Sequence, residues 1–198
     1  MKNNTDTLTQ IPEPSLSRFL FADTRMNIFW TLLRVWLGWT WLTAGWGKLT
    51  NPAGVWVGDK AGTALTGFLQ GALTKTDGDH PEVSGWYASF IQNVALPNAT
   101  FFSFMVAYGE LFVGTALILG LFTGIAAFFG GVMNANFLFA GTLSTNPLLL
   151  IAAVGLMLAW RVAGQWGLDR ILLPLIGVPG APGKLFEPPA SKPKTPAV

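Results

Sequence analysis

The sequence predicts an all-α integral membrane protein, an antiparallel four-helix bundle with short amphipathic helices in an outer loop. Three observations carry that fold class. Hydrophobic residues fill 51% of the 198 positions and charged residues only 11%, far from the balance of a soluble globule. Four stretches, about 26–49, 99–119, 122–142 and 147–167, meet or approach the roughly 20 apolar residues that a bilayer-spanning helix needs. From Val83 to Trp160 the chain carries one formal charge, Glu110.

Taken in order, residues 1–25 read as a polar tail. The first span follows Asp6, Glu13 and Asp23, and its apolar run is longer than that of a signal peptide, so it is expected to stay in the mature protein. In the outer loop, 50–98, Leu65, Phe68, Leu69, Ala72 and Leu73 share one helical face, and Trp86, Phe90 and Val94 share another. These short helices are expected to lie on the membrane surface or to cap the bundle. Pro97-Asn98 breaks the chain and supplies an N-cap for span two. Gly120-Leu121-Phe122-Thr123-Gly124 leaves room only for a tight hairpin, which makes spans two and three antiparallel neighbours. Gly141-Thr142 closes span three, and Pro147 stands near the first position of span four, where its missing amide proton costs little. The membrane domain is read as 26–183, followed by a proline-rich tail over 184–198.

Charge sets the orientation. Lys2, Arg18 and Arg25 precede span one, and Arg161, Arg170, Lys184, Lys192 and Lys194 lie at or beyond the end of span four, which predicts a multi-pass chain with both termini cytoplasmic. The long segment between spans one and two, which sets Lys48, Lys60 and Lys75 against Asp59, Asp77, Asp79 and Glu82, is expected outside. Without cysteine the chain itself has no disulfide, thiolate nucleophile or iron-sulfur cluster. A single histidine, His80, expected to be solvated in the loop TDGDHPE, argues against a bis-histidine haem or a histidine-rich metal site within one subunit. Nucleic-acid binding has no support, since no basic patch interleaves with aromatics, and no matching halves mark a transporter.

A charge in the bilayer interior costs about 2.5 to 3.5 kcal/mol even on the lenient insertion scale, so Glu110 needs a partner or a task. Counted from the span ends at about 1.5 Å per residue, Glu110 and Arg34 both come to about 12 to 15 Å deep. They are expected to pair or to line a polar cavity; the bland alternative is a structural ion pair that sets helix register. Tyr108, Asn134 and Asn136 fall in the same slab. Residues two apart on a helix face different ways, so at most one of Tyr108 and Glu110, and one of Asn134 and Asn136, points to any one spot. With Glu110 inward, Ser103, Ala107, Gly114 and Leu117 share its face. With Asn134 inward, Ala127, Gly130, Phe137 and Gly141 share its face, and the small residues among them leave space for a flat ring. On span one, Arg34, Gly38, Trp41, Gly45 and Lys48 make a single stripe. It reads either as a positive path for an anion, stacked against Trp41 and Trp46, or as Lys48 snorkelling to the interface beside an aromatic belt. Asp169 and Arg170 are expected to close a bundle end through helix-terminal hydrogen bonds.

The stretches WLTAGWGKLTNPA, YGELFVGTALILGLFTGIAAFFGGVMNANF, AGTLSTNP and LAWRVAGQWGLDRILLPLIG together resemble the DoxX/DoxD group of four-span membrane proteins, over roughly Arg25 to Gly183. Within that group the chain is similar to the membrane subunit of archaeal and bacterial thiosulfate:quinone oxidoreductase. The resemblance implies a prokaryotic plasma membrane, oxidation of thiosulfate to tetrathionate, and electrons passed to membrane quinone. It also implies a second, smaller subunit or a larger membrane complex as partner, beside lipid and quinone. Residue roles come from the residues themselves: the quinone head sits by Glu110, Tyr108 and Asn134, Glu110 delivers protons as the ring is reduced, and Lys48 or Arg34 holds the thiosulfate dianion. The expected catalytic set is Glu110, Arg34 and Tyr108, and the expected binding set is Asn134, Trp41, Lys48 and Trp46. Quinone is a diffusible acceptor that carries two electrons and two protons, so no covalently bound cofactor or metal is expected. Competing expectations are a non-catalytic scaffold or accessory subunit and, last, a proton-linked transporter.

Overall fold

Helix α2, Asn27–Leu49, turns one face inward: Asn27, Trp30, Arg34, Leu37, Gly38, Trp41 and Gly45 are buried. Spacings of three and four put them on one side of a 3.6-residue helix, leaving Leu32, Trp36, Trp39 and Trp46 exposed. The computed structural model describes residues 13–178, and among these every regular element is helical. Helix α5, Ala99–Leu119, lies antiparallel against α2 and buries Ser103, Ala107, Glu110, Val113, Gly114 and Leu117. Glycine permits the contact. A β-carbon on Gly114 would overlap the backbone nitrogen of Leu42, and one on Gly45 would stand 2.6 Å from the Leu111 nitrogen, so the helices meet backbone to backbone.

Helices α6, Thr123–Phe139, and α7, Asn146–Leu158, pair with each other; α6 also packs on α5, and α7 on α2. Their shared core runs through Trp30, Leu37, Trp41, Leu117, Ala127 and Leu156. Pro147 falls in the first turn of α7, as its position predicts. Span four is not continuous. Helix α7 ends at Leu158, a four-residue helix α8, Trp160–Ala163, follows, and α9 covers Asp169–Leu175. The break serves a tertiary contact: the amides of Leu168 and Asp169 donate to the carbonyls of Leu119 and Gly120, at 3.0 and 2.8 Å, which draws this segment across the α5–α6 turn.

The opposite end of the four helices, near Lys48, carries a cap with its own core. Helix α3, Thr63–Leu73, buries Leu65, Leu69 and Ala72, three of the five positions on its expected face. The second expected face is corrected. Trp86 and Val94 are exposed, while Tyr87, Ala88, Ile91 and Ala95 are buried along α4, Gly85–Phe90, and the π-turn Ile91–Ala95 that continues it. Tyr87 wins the inward position because its hydroxyl donates to the Asn136 carbonyl and side-chain oxygens, both at 3.1 Å. Asn98 precedes α5, but its side chain does not cap that helix; it donates back to the Val94 carbonyl at 2.9 Å. Within the expected N-terminal tail, Ser15–Ala22 form helix α1, which packs on α8. Residues 1–12 and 179–198, with the proline-rich tail, lie outside the described residues.

Among the described residues one helix, α5, is long and apolar enough to cross a membrane by length and composition; α6 and α7 are shorter apolar helices. Large apolar side chains line the outer faces of α2, α5, α6 and α7, among them Leu32, Trp39, Phe112, Ile125, Phe129 and Ile151. Soluble monomers rarely expose contiguous apolar surface beyond a few hundred Å², roughly.

Candidate functional site

The partner of Glu110 is Lys48. Its ammonium stands 2.6 Å from Glu110 Oε2, and the side chains are 18% and 2% exposed respectively. The acid is enclosed and the base reaches it from the helix end. Lys48 Nζ also lies 5.0 Å from the centre of the Trp56 ring, a cation–π contact that shields the pair. Trp56 belongs to the loop between α2 and α3, and its carbonyl accepts from Ser103 Oγ at 2.7 Å. Ser103 lies on the same buried face of α5 as Glu110. Trp56 escaped the sequence reading because its loop has no period to place it; Ser103 was legible as a face-mate of Glu110 but not as a clamp.

Arg34 is elsewhere. It is buried, but its guanidinium donates to the Leu117 and Ile118 carbonyls at 2.7 and 3.4 Å and to the Trp166 carbonyl at 3.2 Å. These carbonyls lie at the C-terminal end of α5 and beyond α8, about 10 Å along the axis from Glu110 at the helical rise. Equal depth requires flush helix ends. Instead Gly38 packs against Gly114 and Leu117, and Gly45 against Ala107 to Leu111, so the first two turns of α2 overhang α5 and carry Arg34 to the Gly120 end. There it satisfies carbonyls that the helix leaves open. Asp169 completes this end, its two oxygens accepting from the backbone nitrogens of Phe122 and Thr123 at 2.5 and 2.9 Å, the helix-end closure expected of it. Arg170 is exposed. A groove of about 440 Å³ between α6, α7 and α9 opens at the same end, lined by Phe122, Trp160 and Leu173 among others, away from the Lys48–Glu110 pair.

The remaining expected residues divide. Trp41 and Asn134 are buried in the helix core, whereas Trp46 is 60% exposed and Tyr108 is 40% exposed. Tyr108 stacks between Phe104 and Phe112 on the outer face of α5, with ring centres 6.2 and 6.4 Å away. It turns away from Glu110, as two-residue spacing requires. Asn134 donates from Nδ2 to the Asn146 carbonyl at 2.9 Å, while its Oδ1 and Trp41 Nε1 have no partner. Asn136 is exposed. Among the described residues no group of three or more histidine, cysteine, aspartate or glutamate side chains is placed to hold a metal ion.

Helices with apolar outer faces around an enclosed, paired charge define a membrane protein by class. The DoxX family model matches residues 29–143, and the chain belongs to the DoxX family. The match takes in Arg34, Lys48, Trp56, Ser103, Glu110 and Asn134 and stops before Trp166 and Asp169. No curated protein and no solved structure matches the chain.

Proposed function

We propose that this DoxX-family chain is the membrane subunit of a quinone-linked oxidoreductase that takes electrons from a small reduced sulfur anion, thiosulfate, and that α2, α5, α6 and the α7–α8 segment cross the bilayer with both termini cytoplasmic. The observation that carries the reading is the Lys48–Glu110 pair: a carboxylate 2% exposed, joined at 2.6 Å to an ammonium that keeps 18% exposure. A structural pair needs no such asymmetry. The cation keeps the more exposed side of the pair and the acid the enclosed side, an order that suits an anion held at Lys48 and a proton exchanged at Glu110. The reaction balances as two thiosulfates losing one electron each while their sulfurs join, and one quinone taking two electrons and two protons. Lys48 holds the anion, Trp56 covers the approach, and Glu110 exchanges a proton at Oε2. Trp41 and Asn134 line the interior beside it. Arg34 positions the helix ends, and Tyr108 and Trp46 belong to the outer surface, where a smaller partner subunit docks.

The test is anaerobic reduction of a soluble quinone analogue by thiosulfate, with the purified chain alone and with any copurifying subunit. Glu110→Gln is expected to lower the rate by about 100-fold or more while the protein still folds and inserts. Full turnover by that variant would remove Glu110 from the chemistry.

A second reading, a non-catalytic scaffold for a larger redox complex, draws on the stacked aromatic face Phe104–Tyr108–Phe112. An intact complex with unchanged activity after Lys48 and Glu110 are neutralised together would favour it.

A further inference from the structure

Helix α1 divides its surface three ways. Ser17, Leu20 and Phe21 are partly covered by the bundle: the Phe21 ring packs on the helix core, 5.8 Å from the Trp30 ring, and the Leu20 carbonyl accepts from Trp30 Nε1 at 2.7 Å. Coaxial helices would set positions 20 and 30 about 15 Å apart, so the chain turns at the extended Asp23 and folds α1 back beside the first turns of α2. At about 100° per residue, Leu16 and Phe19 share a second side of α1, and Arg18 takes a third. Leu16 and Phe19 are 69% and 38% exposed, and Arg18 is exposed as well. On the neighbouring outer face of α2, Ile28, Phe29 and Leu32 are also exposed, with Phe29 meeting the same Trp30 ring at 4.9 Å.

The charge at this end has one prevailing sign. Among the described residues here, Arg18, Arg25, Arg161 and Arg170 are exposed and face two acids at the surface, Glu13 and Asp23, while Asp169 is buried against backbone amides. Arg25 is held by Asp23 and stacks over Phe19 at 5.1 Å. Arg161, on the helix that α1 packs against, stands 4.0 Å from Glu13 and over the Trp160 ring at 5.7 Å. Exposed apolar side chains beside arginines are the profile of a helix that lies in a membrane interface. We propose that α1 lies in the headgroup layer of the bilayer, with Leu16 and Phe19 turned to the acyl chains and Arg18 and Arg161 on the phosphates of anionic phospholipid. Eight residues would hold such a surface weakly by themselves, but joined to α2 they need only settle beside it. An acidic soluble partner would match the arginines and leave Leu16 and Phe19 in water. The proposal rests on the reading that α2 crosses the bilayer and is independent of the oxidoreductase activity.

The chain has no cysteine, so one introduced cysteine carries a single fluorophore. Full-length chains labelled with nitrobenzoxadiazole at Leu16→Cys, Phe19→Cys, Leu32→Cys or His80→Cys are placed in bilayers of phosphatidylglycerol and phosphatidylcholine in equal amounts, one lipid bearing nitroxide-labelled acyl chains that quench what they reach. Labels at 16 and 19 are expected to be quenched as strongly as the label at 32, and the label at 80 to stay bright. With the nitroxide on phosphatidylglycerol, quenching at 16 is expected to report an enrichment of about fivefold over the reverse arrangement, and Arg18→Gln with Arg161→Gln to bring it below about twofold. Labels at 16 and 19 as bright as that at 80, with 32 quenched, would overturn the seat of α1 alone. If 32 is bright too, the bilayer-crossing reading falls and this proposal with it. Labels at 16 and 19 shielded from both nitroxide lipid and aqueous iodide would mean that a second copy of the chain covers this side, which would also overturn it. No enrichment of phosphatidylglycerol, or an enrichment unchanged without the two arginines, would overturn the anionic partner.

Discussion

Lys48 and Glu110 are the residues whose separation and whose pairing follow from different physics. A charge near the middle of an apolar helix demands compensation, and that demand was readable for Glu110 from its isolation between Val83 and Trp160. Which cation answers it was not, because a lysine stem spans a full helical turn and reaches an acid set deeper than its own Cα. Removing one member leaves the other enclosed and unpaired, whereas removing both does not. Lys48→Met is therefore expected to destabilise by about 3 kcal/mol, and Lys48→Met with Glu110→Leu by less than about 1 kcal/mol. Thermal unfolding of the two in one detergent checks this, and an equal loss in both would mean that the pair is not the unit of stability. Arg34 shows the opposite outcome: an equally isolated charge, satisfied by backbone carbonyls of Leu117, Ile118 and Trp166 and not by a carboxylate.

Between elements, the α2–α5 contact depends on hydrogen in place of a side chain. A β-carbon at position 114 would overlap the Leu42 backbone nitrogen and stand 2.8 Å from the Gly38 oxygen, whereas one at Gly47 would meet nothing within 4 Å. Helix backbone cannot yield as a flexible side chain does. Gly114→Ala is thus expected to force α2 and α5 apart at a cost of about 3 kcal/mol or more, and Gly47→Ala to be neutral or stabilising by up to about 1 kcal/mol. Both are read by thermal unfolding, and a Gly114→Ala protein as stable as wild type would refute the contact. The stripes on α2 and α5 were legible because three- and four-residue spacing needs no tertiary knowledge. The face of α4 was not: Trp86, Tyr87 and Phe90 are all apolar enough to be buried, and the choice fell to Tyr87 through its bonds to Asn136. The break after Leu158 was equally invisible, since no proline or glycine stands at Ala159; beyond it the amides of Leu168 and Asp169 dock on the α5–α6 turn.

Across the whole molecule, the helix core and the cap are two apolar cores joined at few points, and Tyr87 is one of them. Burial pushes its phenol up to about 12 from the ordinary 10.0. The folded state therefore holds its proton where the unfolded chain has lost it, and the stability this contributes is present below about pH 10 and is lost as pH rises toward about 12. In a Tyr108→Phe background, which leaves one tyrosine, the phenolate absorbance is expected to appear near pH 12 in the folded protein and near pH 10 in denaturant. Coincident titrations would mean that the cap does not enclose Tyr87. By itself the sequence determined the helical class, the spacing of the stripes, the tight Gly120–Gly124 turn, and that Glu110 and Tyr108, like Asn134 and Asn136, face different ways, because period, composition and glycine act locally. Only the tertiary structure decided the register of α2 on α5, and with it that Lys48 pairs with Glu110, that Arg34 serves the Gly120 end, and that Trp56 covers the pair. Register is set by which glycines nest into which backbone, a relation between helices that no single helix contains.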